Sequence, residues 1–146
     1  MDRSLLSPRA FFASLNPFQR SLVSAFSGLV GYGGWAYLVN SMHGSFAGFK
    51  AACVQGSYSF LLTFVMTMMI EGLYRFMSEL SDTEQFNKLA TIVVTCAIIF
   101  STSWWVNAMA GTPEIFNTVI LGYIIGGVYT ISYVIGLSRE KMQKLG

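Results

Sequence analysis

The sequence predicts an all-α polytopic membrane protein, a four-transmembrane-helix bundle with a short amphipathic interfacial helix ahead of it. Three observations carry this expectation. Of 146 residues, 53% are hydrophobic and only 11% charged, whereas a soluble domain needs roughly 25% charged residues. Four long stretches are free or nearly free of charge. A seven-residue motif, Val39-Asn40-Ser41-Met42-His43-Gly44-Ser45, returns sixty-seven residues on as Val106-Asn107-Ala108-Met109-Ala110-Gly111-Thr112.

Each copy of the motif ends one apolar segment and opens the next, so each reads as the turn of a helical hairpin. Two explanations stay open: duplication of a two-helix unit, giving two parallel hairpins, or two independent turns, since Asn and Gly favour such turns in any case. A single membrane domain over residues 1–146 is expected.

Residues 1–20 carry Arg3, Arg9 and Arg20 against Asp2 alone, with Phe11, Phe12, Leu15 and Phe18 between them. Ser7-Pro8 and Asn16-Pro17 each resemble an N-cap followed by proline in the first helical turn. This segment is expected to lie on the membrane surface. It shows no apolar region with a cleavage site, and its Arg- and Ser-rich start gives a mitochondrial presequence only as the lesser reading.

The first span is expected over residues 21–40, about 30 Å of helix at ~1.5 Å per residue. Gly28 and Gly31, with Ser24 and Ser27 four residues before them, suit close helix packing, because lipid leaves van der Waals fit as the main force between helices.

The second span, residues 51–70, must return beside the first after so short a link. Its polar residues Gln55, Ser59, Thr63 and Thr67 recur every fourth position and continue into Glu71, Arg75 and Glu79. Such a stripe winds slowly around a helix. Ser and Thr can satisfy themselves on the carbonyl one turn back. Gln55 cannot, and needs a partner helix, water or a ligand.

The third span is expected over residues 89–106, after a capping box formed by Ser81 and Glu84. Trp104 and Trp105 near its end, and Trp35 near the end of the first span, place all three tryptophans at one interface. Thr112-Pro113-Glu114 reads as a helix start, with Thr112 as cap. The fourth span, residues 115–137, contains the GxxxG pair Gly122 and Gly126, a packing signal that leaves open whether the partner is another span or another subunit.

With four spans, eight of the nine basic residues fall on the side of the termini and only Lys50 on the other. Both termini are therefore expected in the cytoplasm, most simply of a bacterial inner membrane.

The chemistry that is missing narrows the function. His43 is the only histidine and has no ligating residue at metal spacing near it; Cys53 and Cys96 lie inside apolar segments. No metal, cofactor or catalytic group is expected, and the net charge of +2 gives no sign of nucleic-acid binding. No acid lies deep in a span, which argues against a proton-coupled antiporter. No motif of the small four-helix exporters, the fluoride channels or the bactoprenol-linked flippase-like proteins is recognised.

Two readings follow. The first is a non-catalytic membrane subunit that binds, stabilises or regulates another membrane protein or its own oligomer through the glycine faces. It stands slightly ahead, because Ser and Thr are common in spans that transport nothing. The alternative is a small oligomeric transporter, channel or flippase-like protein. Its uncharged polar path would be formed by Gln55, Ser59, Thr63 and Thr67 with Asn107 and Asn117 near the outer mouth, and four helices enclose so little space that a dimer would be needed.

Overall fold

A computed structural model describes residues 16–145. It is an all-α four-helix bundle: α1 (Pro17–Asn40), α2 (Ser45–Leu80), α3 (Glu84–Met109) and α4 (Ile115–Leu145), with a 3-10 turn at Ser41–His43. All four helices are long and apolar enough to cross a membrane, and no strand occurs among the described residues. The protein is an integral membrane protein. The surface helix expected over residues 1–20 lies almost wholly outside the described residues. Its last part instead belongs to α1, which starts at Pro17 rather than at residue 21.

That start has a local cause. Asn16 Oδ1 accepts from Gln19 N at 2.8 Å and Gln19 Oε1 accepts from Asn16 N at 3.0 Å, a reciprocal cap with proline in the first turn. The other two expected starts are built differently. Ser81 ends α2, and its Oγ accepts from Thr83 N, so the capping box with Glu84 does not form. Thr112 does not cap α4 either. Its hydroxyl donates to Asn107 Oδ1 at 3.0 Å, while the Glu114 amide at the start of α4 donates to Asn40 Oδ1 at 2.9 Å. A side chain of the first hairpin thus caps a helix of the second.

Both repeated turns need their glycine. Gly44 has φ 108° and Gly111 φ 66°, the only positive values among the described residues. Side chains with a Cβ rarely tolerate that region.

The two hairpins, α1 with α2 and α3 with α4, pack side by side. In the first, backbone approaches backbone. A Cβ on Gly56 would lie 2.9 Å from Leu29 O, one on Gly33 3.0 Å from Ala52 O, and one on Gly48 3.1 Å from Tyr37 O. Toward the chain termini, Met66, Ile70 and Tyr74 of α2, Ile99 of α3 and Val134 of α4 form an apolar core that, among the described residues, includes none from α1.

The third helix inverts the pattern of a soluble helix. Its buried face is Asn87, Thr91, Thr95, Ile99, Ser103 and Asn107, every fourth residue and nearly all polar, while Leu89, Val93 and Trp105 point outward. In lipid the apolar side chains are already in a compatible solvent, so polar groups are what a helix gains by hiding.

Candidate functional site: a hydroxyl-lined cavity inside the bundle

Between the helices lies a cavity of about 410 Å³ that reaches all four. Gln55, Ser59, Thr63 and Thr67, the polar stripe of α2, all line it. They cover three helical turns, about 18 Å at ~1.5 Å per residue. Facing them are Tyr32 of α1, Phe100 and Ser103 of α3, and Tyr123 and Tyr129 of α4. No charged residue is among the lining. The cavity is formed by the four helices of one chain.

The end of the cavity nearest the hairpin turns is closed by a buried polar lock. Asn107 Nδ2 donates to Ser103 O at 2.9 Å and to Gln55 Oε1 at 2.7 Å, and Ser103 Oγ lies 3.4 Å from the same oxygen. This chain of bonds fixes the amide orientations. A carbonyl only accepts, so Asn107 must present its nitrogen to Ser103 O, and its second hydrogen then requires the oxygen of Gln55. The Gln55 Nε2 donor is left on the side of Gly122, where a Cβ would lie 3.6 Å from it. Gln55 is thus bonded to a neighbouring helix through one end while its other end borders the cavity.

The second lock sits where α1 meets α4. Asn40 Nδ2 donates to Ala36 O at 2.9 Å and to Thr118 Oγ1 at 2.7 Å. Trp35 Nε1 donates to Asn117 O at 2.7 Å. One turn further into the membrane the Tyr32 ring lies 3.8 Å from where a Gly122 Cβ would be. At the opposite end the core around Met66 and Ile99 forms the floor, both residues also lining the cavity.

The remaining predicted residues fall in different places. Asn107 holds Gln55 from behind but does not line the cavity, and Asn117 is exposed, with its amide donating to Glu114 Oε2 at 3.0 Å. Gly122 and Gly126 line the cavity rather than meeting a helix backbone. A Cβ on Gly28 would sit 3.4 Å from Thr63 Oγ1, and one on Gly31 would meet nothing. Sequence reasoning missed Tyr32, Tyr58 and Tyr123 as lining residues, since aromatic residues in a span more often face lipid or the interface. It also missed Asn40 as a cross-hairpin cap, although its repeat partner Asn107 was singled out.

A second polar cluster ties the helix ends near the termini. Tyr133 Oη donates to Glu71 Oε1 at 2.7 Å, Tyr74 Oη donates to Glu84 Oε1, and Lys141 Nζ lies 3.6 Å from Glu84 Oε2. His43 Nε2 and Glu114 Oε1, 3.1 Å apart, link the two turns at the other end. Among the described residues no group of His, Cys, Asp and Glu is placed to hold a metal ion. Comparison with protein families, curated proteins and solved structures yields no match, so the function must be argued from the cavity itself.

Proposed function

We propose that this protein is a small transporter or flippase-like carrier whose ligand occupies the cavity. One observation carries the reading: the four α2 residues singled out by their spacing, Gln55, Ser59, Thr63 and Thr67, share the wall of one cavity inside one chain. Part of the stripe is used within the bundle, Thr63 Oγ1 donating to Ser59 O at 2.8 Å and Thr67 Oγ1 lying 3.2 Å from Tyr129 Oη. The Gln55 amide nitrogen, by contrast, is turned toward open space, and concave sites lined by apolar groups with a few placed polar ones are where small molecules bind.

An uncharged lining favours an uncharged ligand, since nothing in the wall would compensate a desolvated charge. The orientation belongs to this reading as well: the excess of basic residues supports cytoplasmic termini and a bacterial inner membrane. The test is flux in proteoliposomes, with radiolabelled polyols and with lipids carrying a quenchable fluorophore. One class should cross faster than in empty vesicles, and Gln55→Ala with Thr63→Val should lower that rate about tenfold. A rate the double variant leaves intact would remove the path.

A specific observation also supports a subunit contact. Gly31 and Gly34 have nothing beside them, and Gly34 borders an open groove of about 360 Å³ with Leu29, Val30, Gly33, Ala52, Cys53 and Ser57. A small-residue groove facing lipid suits a second copy of the chain or another membrane protein. Cys53, exposed in that groove, reports on it: oxidative cross-linking should give a disulfide dimer if a second copy sits there, and none if the groove faces only lipid.

A further inference from the structure

The cavity has a closed side and an open side, and the open side faces lipid. Along the seam between α1 and α4, contacts descend from Asn40 with Thr118, through Trp35 with Asn117, to Tyr32 beside Gly122. Below that level the seam loses its bonds. A Cβ on Gly28 would have Thr63 Oγ1 at 3.4 Å and the Tyr32 ring at 3.7 Å as its nearest neighbours, and one on Gly126 would have only Ile99, from 3.7 Å, so neither glycine has the other helix as its nearest neighbour. The lining residues at this level, Ser24, Ile125 and Tyr129, are exposed, Ile125 by 47% and Tyr129 by 43%. On the opposite wall Gln55, Ser59, Ile99 and Ser103 are all at most 5% exposed. The apolar core that closes the bundle toward the termini contains, among the described residues, none from α1. The gap therefore opens sideways between α1 and α4, in the half of the bilayer next to the chain termini.

We propose that the ligand reaches the cavity through this gap from the bilayer, and that it is an uncharged amphiphile: an apolar chain that stays in lipid, carrying a head with hydroxyl or carbonyl oxygens. The inference rests on the reading that the cavity holds a ligand, and adds its class and its route. The chemistry follows the wall. Gln55 Nε2 is a donor and calls for an acceptor oxygen, the Ser and Tyr hydroxyls can serve either way, and the rings of Tyr32, Phe100 and Tyr123 supply flat apolar faces. A polar head that slides in sideways leaves its tail among lipid chains, so only the head has to be desolvated. The two ends, sealed by the Asn107 lock and by the Met66–Ile99 core, deny a water-borne solute the same access.

The test uses the full chain in proteoliposomes. A diacylglycerol with a photoactivatable group next to its free hydroxyl is irradiated, and adducts are located by peptide mass spectrometry. Adducts are expected on the segment from Gln55 to Thr67 or on Tyr129, and Ser24→Trp with Ile125→Trp, both at the exposed mouth, should reduce them at least fivefold. In parallel, Ser59→Cys in a Cys53→Ala, Cys96→Ala background is offered a charged methanethiosulfonate from both aqueous sides, and modification at least tenfold slower than at an exposed control site such as Ser45→Cys is expected.

Rapid modification from either side, with no diacylglycerol adduct, would overturn the lateral route while leaving a water-fed cavity standing. Equal labelling by a photoactivatable phosphatidic acid of the same chain length would overturn the preference for an uncharged head. If neither reagent reached the cavity, both this proposal and the carrier reading would fall.

Discussion

Asn40 and Asn107, sixty-seven positions apart, use their amides in the same way. Each is fully buried at the end of the first helix of its hairpin. Each donates to the carbonyl one turn back, at 2.9 Å in both cases, and to a side chain of the other hairpin, at 2.7 Å in both cases. Asn40 reaches Thr118 on α4 and Asn107 reaches Gln55 on α2, so each bond runs to the second helix of the other hairpin, although the two acceptors are not paired by the 67-residue offset. This is what two parallel hairpins related by an axis along the membrane normal would produce. Together with the positive φ at Gly44 and Gly111, it shows that the Asn and the Gly of the two turn motifs are used alike.

Replacing either asparagine should be costly. Asn107→Ala strands the Thr112 hydroxyl and leaves Gln55 Oε1 only the long contact with Ser103 Oγ, and Asn40→Ala strands the Glu114 amide. Each is expected to destabilise by about 1–3 kcal/mol, since a buried partner left unbonded loses more than the bond itself was worth. The two share no partner, so the double variant should be close to additive. Equilibrium unfolding in detergent checks both, and a loss well below ~0.5 kcal/mol for either would contradict the locks described here.

The polar face of α3 contains an exception that predicts the opposite sign. Thr95 Oγ1 is buried and makes no hydrogen bond within the protein, whereas Thr91 Oγ1 donates to Asn87 O at 2.7 Å. Thr95→Val keeps the shape and removes an unsatisfied group, so it should stabilise the bundle by up to about 1 kcal/mol. Thr91→Val, which deletes a made bond, should lower stability. Thermal unfolding of the two variants side by side decides it.

The glycines of the first hairpin divide in the same manner. Gly56→Ala puts a methyl 2.9 Å from Leu29 O, a backbone atom that cannot rotate away. The hairpin would have to separate, at a cost of about 1–3 kcal/mol. Gly31→Ala meets nothing in this chain and gains helix propensity, so within a monomer it should be neutral or stabilising by up to ~1 kcal/mol. If Gly31→Ala instead weakens the protein, and only at concentrations where it self-associates, the α1 face is a subunit contact.

Much of this architecture was legible because membrane helices announce themselves by length and lack of charge. Gln55 was legible for a related reason, since an amide inside a span must find a partner. What was not legible was which face of each helix turned inward. In water the apolar side identifies itself; in lipid Leu and Val are at home on either side, and only the polar residues discriminate. The α2 stripe worked on that logic. The α3 stripe from Asn87 to Asn107 could have been found in the same way, by stepping in fours through Thr91, Thr95 and Ser103. The glycines could not: Gly31 and Gly33 are two letters apart, and only the crossing of α1 over α2 decides that Gly33 meets Ala52 while Gly31 meets nothing within the chain. Caps supplied across hairpins, as Asn40 supplies one to α4, have no local pattern.

The cluster at the termini end predicts how stability depends on pH. Glu84 precedes the lipid-embedded part of α3. Burial alone would raise its carboxyl, but hydrogen bonds from Ser138 and Tyr74, with Lys141 and Lys88 close by, together hold it below the usual range. A carboxyl whose pKa is lower in the folded state contributes stability that is fully present above its unfolded value, ~4.3. That contribution fades as pH falls through the lower folded value, because the folded form must then take up a proton it binds poorly. The protein should therefore lose stability in acid, below about pH 4.5, and Glu84→Gln should flatten that part of the profile while lowering stability at pH 7. Glu71, which accepts from Tyr133, lies in the same region, so Glu71→Gln serves as the control for acid sensitivity arising elsewhere. An unfolding profile whose acid limb is identical in wild type and Glu84→Gln would show that the Glu84 carboxyl is not lowered on folding.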